Sequence, residues 1–335
     1  MNDFRSTGAA SPCTTERLGA NAEGLDRARA ILRAGGLVAF PTETVYGLGA
    51  DAANPEAVAR LFEAKGRPRF NPLIAHVPST DSALCQGRFN GAAHVLAEAF
   101  WPGPLTIVVP ASAGCTVSEL ARAGLDSVAL RVPAHPLARD LLERFGSPIA
   151  APSANRSGRV SPTLVEHVLA DLDGRIDAVV DGGPTEVGLE STIVGCLDGE
   201  SRLLRPGGLA REDIERVVGP LLAPEPDTGS GPRAPGMLRS HYAPRARVRL
   251  ETSDIRDGEA ALLFGGRQPA GLTKTAPTLN LSEGGDLVEA AANLFSHLRA
   301  LDASGAPTIA VSPIPDHGLG EAINDRLRRA AADRP

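Results

Sequence analysis

Between Thr42 and Arg205 the sequence sets hydroxyl and cationic residues just beyond short apolar runs. In an α/β sheet such positions gather at one crevice. Thr42 and Thr44 follow Leu37-Val38-Ala39-Phe40, and Lys65, Arg67 and Arg69 stand between a helical stretch and the next apolar run, which His76 ends. Ser127 and Arg131 mark the two ends of the Val128–Val132 run, Ser153 and Asn155 follow Ala151, Ser191 and Thr192 open another run, and Arg205 starts Arg205-Pro206-Gly207. Four or more ammonium and guanidinium groups converging on one crevice suit a polyphosphate, because arginine offers phosphate oxygens paired hydrogen bonds. Singly, each residue also has an ordinary reading: cations near helix ends favour the helix dipole, a serine beside proline caps a helix, and a histidine ending a strand is commonly structural. Spacing alone therefore reaches an α/β protein with an anion site.

Several alternatives fail on spacing. No GxxxxGK[ST] string is present. Gly47-Leu48-Gly49-Ala50-Asp51-Ala52 matches a loose GxGxxA, yet the next helix starts near Asn54 rather than inside the glycines, which argues against a dinucleotide loop. Ser153 lies in no GxSxG elbow, and no HExxH or dense ligand cluster supports a protein-bound metal. Cysteines 13, 85, 115 and 196 form no CxxC pair and read as reduced thiols of a cytoplasmic protein. The net charge of −6 disfavours a general nucleic-acid coat, so anion binding must be local. No stretch approaches the about 20 apolar residues of a membrane span, and the N-terminal residues lack the apolar run of a signal peptide.

The elements that must position these residues follow from periodicity and caps. Leu25, Ala28, Ile31 and Leu32 predict a helix over 22–34 closed by Gly35-Gly36. Leu37–Phe40 predicts a buried strand, Tyr46–Gly49 a tight bend, and Asn54 an N-cap with Pro55 at the first helical position. A strand starts at Leu73. Helices are predicted over Ala92–Ala99 and Pro136–Phe145, with another starting at Ser161-Pro162. Strands are predicted at Thr14–Leu18, Leu105–Val109, Val128–Val132, Ile149–Ala151, Ala178–Val180, Ser191–Leu197 and Ser201–Leu204, and Ile214–Val218 lies in a short helix. The result is an open α/β sheet of mixed strand direction over residues 14–219. Residues 220–245 have the Pro/Gly/Ser composition of a linker. Residues 246–335 predict a smaller α/β unit, with strands Ala246–Leu250, Ala260–Phe264 and Thr308–Val311 and helices Asp286–Leu301 and Leu319–Ala331.

The stretches FPTETVYGLG, EAKGRPRFNPLIAHV, WPGPLT, ALRVPAHP, APSANRSGRVSPT, LESTIV and RPG, in that order over about residues 14–218, resemble the YrdC-like family of L-threonylcarbamoyl-AMP synthases. APGMLRSHYAP and the C-terminal unit resemble the long form of that family, which adds a small Rossmann-like domain. The resemblance implies a YrdC-like open twisted mixed sheet with flanking helices. It also implies a nucleotidyltransferase reaction: L-threonine, bicarbonate and ATP give L-threonylcarbamoyl-AMP and pyrophosphate, for the threonylcarbamoyladenosine modification of tRNA beside the anticodon. It implies L-threonine binding at Thr42, His76, Arg131, Ala151 and Ser191. ATP would be bound by Lys65, Arg67, Ser127, Ser153, Asn155, Ser161 and Arg205, with Arg69 a weaker contact, and His241 and Tyr242 of the linker lying over the nucleotide. Lys65 and Arg67 are the expected catalytic pair, with Mg²⁺ held by ATP. The implied partner is a downstream tRNA threonylcarbamoyl transferase complex, and tRNA binding is compatible but not required. The hydrogenase-maturation carbamoyltransferases share the YrdC-like portion but carry paired-cysteine zinc motifs absent here. An RNA-binding module is disfavoured by an aromatic content of 4%.

Overall fold

The computed structural model describes residues 14–197, 199–223 and 242–332. In chain order the first unit comprises β1 (Glu16–Gly19), α1 (Ala22–Arg33), β2 (Val38–Pro41), β3 (Tyr46–Asp51), α2 (Pro55–Lys65), β4 (Ile74–His76), α3 (Thr80–Gln86), α4 (Gly91–Phe100), β5 (Leu105–Pro110) and β6 (Ser127–Arg131). It continues through α5 (Pro136–Phe145), β7 (Ile149–Ala150), α6 (Val165–Leu172), β8 (Ala178–Asp181), β9 (Thr192–Leu197), β10 (Glu200–Arg205) and α7 (Arg211–Val218). The second unit holds β11 (Arg247–Arg249), β12 (Ala260–Leu263), β13 (Thr278–Asn280), α8 (Leu287–Ala303), β14 (Thr308–Val311) and α9 (Leu319–Ala331).

The first unit is a mixed sheet in the order β1-β8-β2-β3-β7-β4-β6-β5-β9-β10. Its centre brings the site together. Parallel pairing of β4 with β6 sets His76 beside Arg131, and parallel pairing of β5 with β9 sets Leu105 beside Thr192. The caps anticipated for α2 are present: the Asn54 side chain accepts from the amides of Glu56 and Ala57, Pro55 takes the first position, and Gly66 ends the helix at φ 61°. On one face, α2 and α4 bury Leu61, Phe62 and Leu96 against Leu48, Ile107 and Leu130. Near the β1 edge, α1 and α5 close Leu32 and Phe145 over Phe40 and Val180.

Two local expectations are corrected. Tyr46–Gly49 is not a bend but the start of β3, antiparallel to β2 with Val38 opposite Gly49. A Cβ at Gly49 would come within 2.8 Å of the Phe40 ring, so this glycine serves close packing rather than a turn. The reversal falls instead at Thr42–Val45, where the Thr42 amide donates to the Val45 carbonyl. Ser161 does not cap a helix either. Helix α6 starts at Val165 behind Leu164, and the Ser161 hydroxyl is spent on the buried Glu190 carboxylate. The short helix α3 and strand β13 were not anticipated.

The second unit is a parallel sheet in the order β11-β14-β12-β13, with α8 and α9 packed together. Its core is continuous with the first unit, since Val45, Val160, Leu189 and Tyr242 pack with Leu294, Phe295 and Ile323. Ion pairs Arg211–Glu321 and Arg299–Asp171 (2.9 Å) and a bond from the Gly318 amide to Glu212 reinforce the junction. Among the described residues no helix is long and apolar enough to cross a membrane.

Gly188 fixes how closely the units approach. Its φ is +73°, and a Cβ there would lie 2.4 Å from the Ala291 carbonyl oxygen and 2.6 Å from the Ala292 Cα, both backbone of α8. Gly188→Ala should therefore cost about 2–4 kcal/mol, combining left-handed strain with overpacking. Gly183→Ala, at φ +79° with open space around it, should lose only the strain, about 1–2 kcal/mol. Chemical denaturation of both variants checks this, and equal losses would reject tight docking at Gly188.

Candidate active site

The turn Thr42–Val45 and strands β4 and β6 build one wall of a crevice. The Thr42 hydroxyl donates to the Val45 carbonyl and shares a 2.7 Å bond with the Thr44 hydroxyl, locking the turn. Arg131 reaches across from β6, donating to Thr44 Oγ1 at 2.9 Å and, through Nε, to the Gly103 carbonyl at 3.2 Å in the Trp101–Pro104 turn. Its Nη2 pairs with Glu43 at 2.7 Å. Burial pushes the Glu43 carboxyl up, but Arg131 outweighs it and holds it below the usual range. Beside Arg131, His76 is buried with Nδ1 lacking a partner among the described residues. Burial first, then the Arg131 charge, lower its pKa to about 3, so the ring is neutral. Ala151 and Ser191 complete this side.

The opposite wall carries buried positive charge. Arg67 donates to the carbonyls of Asn71 (3.4 Å) and Pro72 (3.0 Å), and burial, with Arg205 nearby, lowers its pKa to about 10. Arg205 grips the Ser191 carbonyl from Nη2 at 2.7 Å and Nε at 3.2 Å, and burial lowers its pKa too. Lys65, at the end of α2, donates to the carbonyls of Ser153 and Asn155. Burial and then the Arg67 charge push its pKa well below the usual lysine value. Both polar atoms of the Asn71 amide and Asn155 Oδ1 are buried without partners among the described residues. Ile74 lines the crevice and packs with Val108, Ala129, Ile193 and Leu204 in an apolar cluster of the sheet.

Glu190 closes the far side. Its carboxylate accepts from the Ser161 hydroxyl and from Arg326 Nε at 2.8 Å. Burial pushes its pKa up, but Arg326, then Arg205, and the Ser161 bond bring it to about 2. Tyr242 also lines the crevice. Its φ of +63° is rare for a bulky residue. Its ring is held between Phe295, stacked at 5.6 Å, and the Arg326 guanidinium, 5.1 Å from the centroid.

Of the residues singled out in the sequence, Thr42, Arg67, His76, Arg131, Ala151, Ser153, Ser191, Arg205 and Tyr242 line this one crevice. Lys65, Asn155 and Ser161 are buried in its walls. Ser127 shares the face of β6 with Arg131 but lies four residues away, about 13 Å along the strand. Arg69 is exposed on the turn after Arg67, and His241 lies outside the described residues. Sequence reasoning missed Glu43, Asn71, Glu190 and Arg326. Arg326 left a signal: it takes a core position in the pattern Ala322, Ile323, Arg326, Leu327, Ala330 of α9, where a solvated arginine has no place.

Comparison with known proteins adds two adjoining matches. A Sua5/YciO/YrdC family model, described as telomere recombination, covers residues 30–207, and one described as the threonylcarbamoyl-AMP synthase C-terminal domain covers 209–332. A threonylcarbamoyl-AMP synthase of Bacillus subtilis is 42% identical over 334 residues, covering 96% of each chain. One from Pyrococcus abyssi is 42% identical, covering 92% of this chain and 94% of its own. A crystal structure of P. abyssi Sua5 complexed with L-threonine superposes with a TM-score of 0.85 at 39% identity, covering 95% of this chain and 97% of that one.

A neutral, buried His76 has a thermodynamic signature. The unfolded chain protonates it below about 6.5 and the folded chain only near pH 3. Between those values the unfolded state binds more protons. Stability therefore rises with pH across 3–6.5, by up to about 1.4 kcal/mol per pH unit for this group, and the group adds no slope above 6.5. Glu190, usually at 4.5 and here near 2, contributes stability present above 4.5 and lost as pH falls towards 2. Denaturation of wild type and His76→Asn between pH 4.5 and 6.5 should show the variant's slope reduced by close to one proton. An unchanged slope would reject the buried neutral ring.

Proposed function

The chain belongs to the Sua5/YciO/YrdC family, in the long form with the threonylcarbamoyl-AMP synthase C-terminal domain, and from that membership we propose that its crevice makes L-threonylcarbamoyl-AMP and pyrophosphate from L-threonine, bicarbonate and ATP. The observation that carries the reading is electrostatic. Lys65 and Arg67 are buried together, Arg205 beside them, and among the described residues neither Lys65 nor Arg67 makes a direct ion pair with a carboxylate, Asp171 acting on Lys65 only through its charge. Such a wall is costly without an anion and strongly favourable with one.

On the other wall, a zwitterionic amino acid finds Arg131 for its carboxylate and hydroxyls at Thr42 and Ser191. His76, kept neutral, adds a polar partner without a second positive charge. The amine combines with bicarbonate to give a carbamate and water. A carbamate oxygen then attacks the α-phosphorus, forming the C–O–P linkage as the α–β bridge breaks and its electron pair leaves with pyrophosphate. Positioning and charge neutralisation dominate such chemistry, and no protein nucleophile is needed. Arg67 and Arg205 face the phosphates, assisted by Lys65 from within the wall, while Ser153, Asn155 and Ser161 shape the turn around them. Ile74 gives the nucleoside an apolar contact, and Tyr242 lines the same crevice. Arg69 is a peripheral contact at most.

Mg²⁺ enters with ATP as part of the substrate. Among the described residues no cluster of three or more His, Cys, Asp or Glu offers a cage. The carboxylates Glu43 and Glu190 are engaged by Arg131 and Arg326. The adenylate would pass to a tRNA threonylcarbamoyl transferase complex in the cytoplasm, with tRNA binding by this chain not required.

Pyrophosphate release from ATP should depend on both L-threonine and bicarbonate, and release that needs neither would overturn the assignment. In the same assay Arg67→Ala and Lys65→Ala should each lower turnover by about 10²-fold or more, the scale for losing one preorganised electrostatic partner. Wild-type rates in either variant would remove that residue from the chemistry.

A further inference from the structure

Arg326 is wholly buried, at 0% exposure, although it belongs to α9 of the second unit. Its guanidinium reaches the crevice wall of the first: Nε bonds Glu190 at 2.8 Å, Nη2 donates to the Pro206 carbonyl at 3.0 Å, Nη1 pairs with Asp325 at 2.6 Å, and the plane lies over Tyr242. One side chain thus touches the segment leading into β9, the turn after Arg205, and the aromatic ring that borders the cations.

Resting on the proposed adenylation, we propose that Arg326 is a positioning residue for nucleotide binding: by engaging Glu190 it offsets that carboxylate, so that the incoming phosphates meet the cations of the crevice and not an uncompensated negative charge. Glu190 lines the same crevice as Arg67 and Arg205. An uncompensated buried carboxylate there would repel a polyphosphate and draw the nearest guanidinium to itself. Both Glu190 oxygens are instead occupied, Oε2 by Arg326 and Oε1 by the Ser161 hydroxyl. The low pKa of Glu190, with Arg326 the first cation lowering it and Arg205 the second, agrees with two cations sharing one carboxylate. A cation supplied from the second unit satisfies Glu190, and the positive charge of the first unit stays directed at the nucleotide. The second unit then acts on the reaction through charge, although its sheet stands apart from the crevice.

The test compares full-length wild type, R326K, R326Q and R326Q/E190Q. ATP binding is read by calorimetry, the KM values for ATP and L-threonine by pyrophosphate release, and folding by thermal unfolding. R326Q should weaken ATP binding and raise its KM about tenfold or more, with the L-threonine KM within about twofold. Adding E190Q should return ATP affinity to within about threefold of wild type, and R326K should fall between. Equal losses for both substrates, or no rescue by E190Q, would mean that Arg326 only supports packing and would overturn the proposal. If R326Q does not fold, the double variant, which carries no carboxylate at position 190, decides: ATP affinity near wild type supports the proposal, and a tenfold loss overturns it. Calorimetry reads ATP binding whatever chemistry follows, so wild-type protein that binds ATP but releases no threonine-dependent pyrophosphate counts against the proposed function and not against Arg326.

Discussion

Taking positive charge out of water at Lys65, Arg67 and Arg205 is the constraint around which this molecule is built. A buried cation without compensation is expensive, and the fold answers mainly with backbone carbonyls. Ser153 and Asn155 receive Lys65, Asn71 and Pro72 receive Arg67, and Ser191 receives Arg205. Each carbonyl comes from an irregular segment just beyond a strand or helix end. The mixed sheet and its tight turns are what bring those segments to one place. Carbonyls stabilise a cation without cancelling its charge, so Lys65 and Arg67 retain a field that a directly paired carboxylate would have quenched.

Two carboxylates beside the cations of the crevice are each held by an arginine. Glu43 is held by Arg131 and Glu190 by Arg326. On the Thr42 side the pair leaves a polar but nearly neutral surface around His76, suited to a zwitterion. On the far side the main partner comes from elsewhere in the chain, Arg326 of α9, with Arg205 acting second. The shared core around Val45, Leu189, Tyr242 and Phe295 makes that reach available, and the glycine at 188 lets α8 come close enough.

Much of this was legible in the sequence, and the limits have physical causes. Positions after apolar runs identified Thr42, His76, Arg131, Ser153, Ser191 and Arg205, because strand ends in an α/β sheet share an edge whatever the detailed topology. The caps of α2 were legible because they are local. What failed depended on distant partners. Gly47 and Gly49 read as a bend because glycine permits turns, whereas the Phe40 ring, packed against the strand, explains at least the second. Ser161 read as a cap because Pro162 follows, whereas a carboxylate twenty-nine residues on claims its hydroxyl. Glu190 and Arg326 stand 136 positions apart, and no local pattern pairs them, although an arginine on the apolar stripe of α9 was a visible anomaly.

The order of these parts along the chain has a consequence for biogenesis. Thr42 through Arg205 leave the ribosome before Tyr242, and Tyr242 before Arg326, and domains generally begin to fold as they emerge. The first sheet can therefore form while Glu190 still lacks its cation. Maturation of the crevice is then a late, vectorial event, completed when α9 docks. A nascent or prematurely terminated chain can possess the sheet, the turn and the cation wall and still present a nucleotide with the wrong charge, so that competence is withheld until synthesis has gone far enough to supply the missing counter-ion.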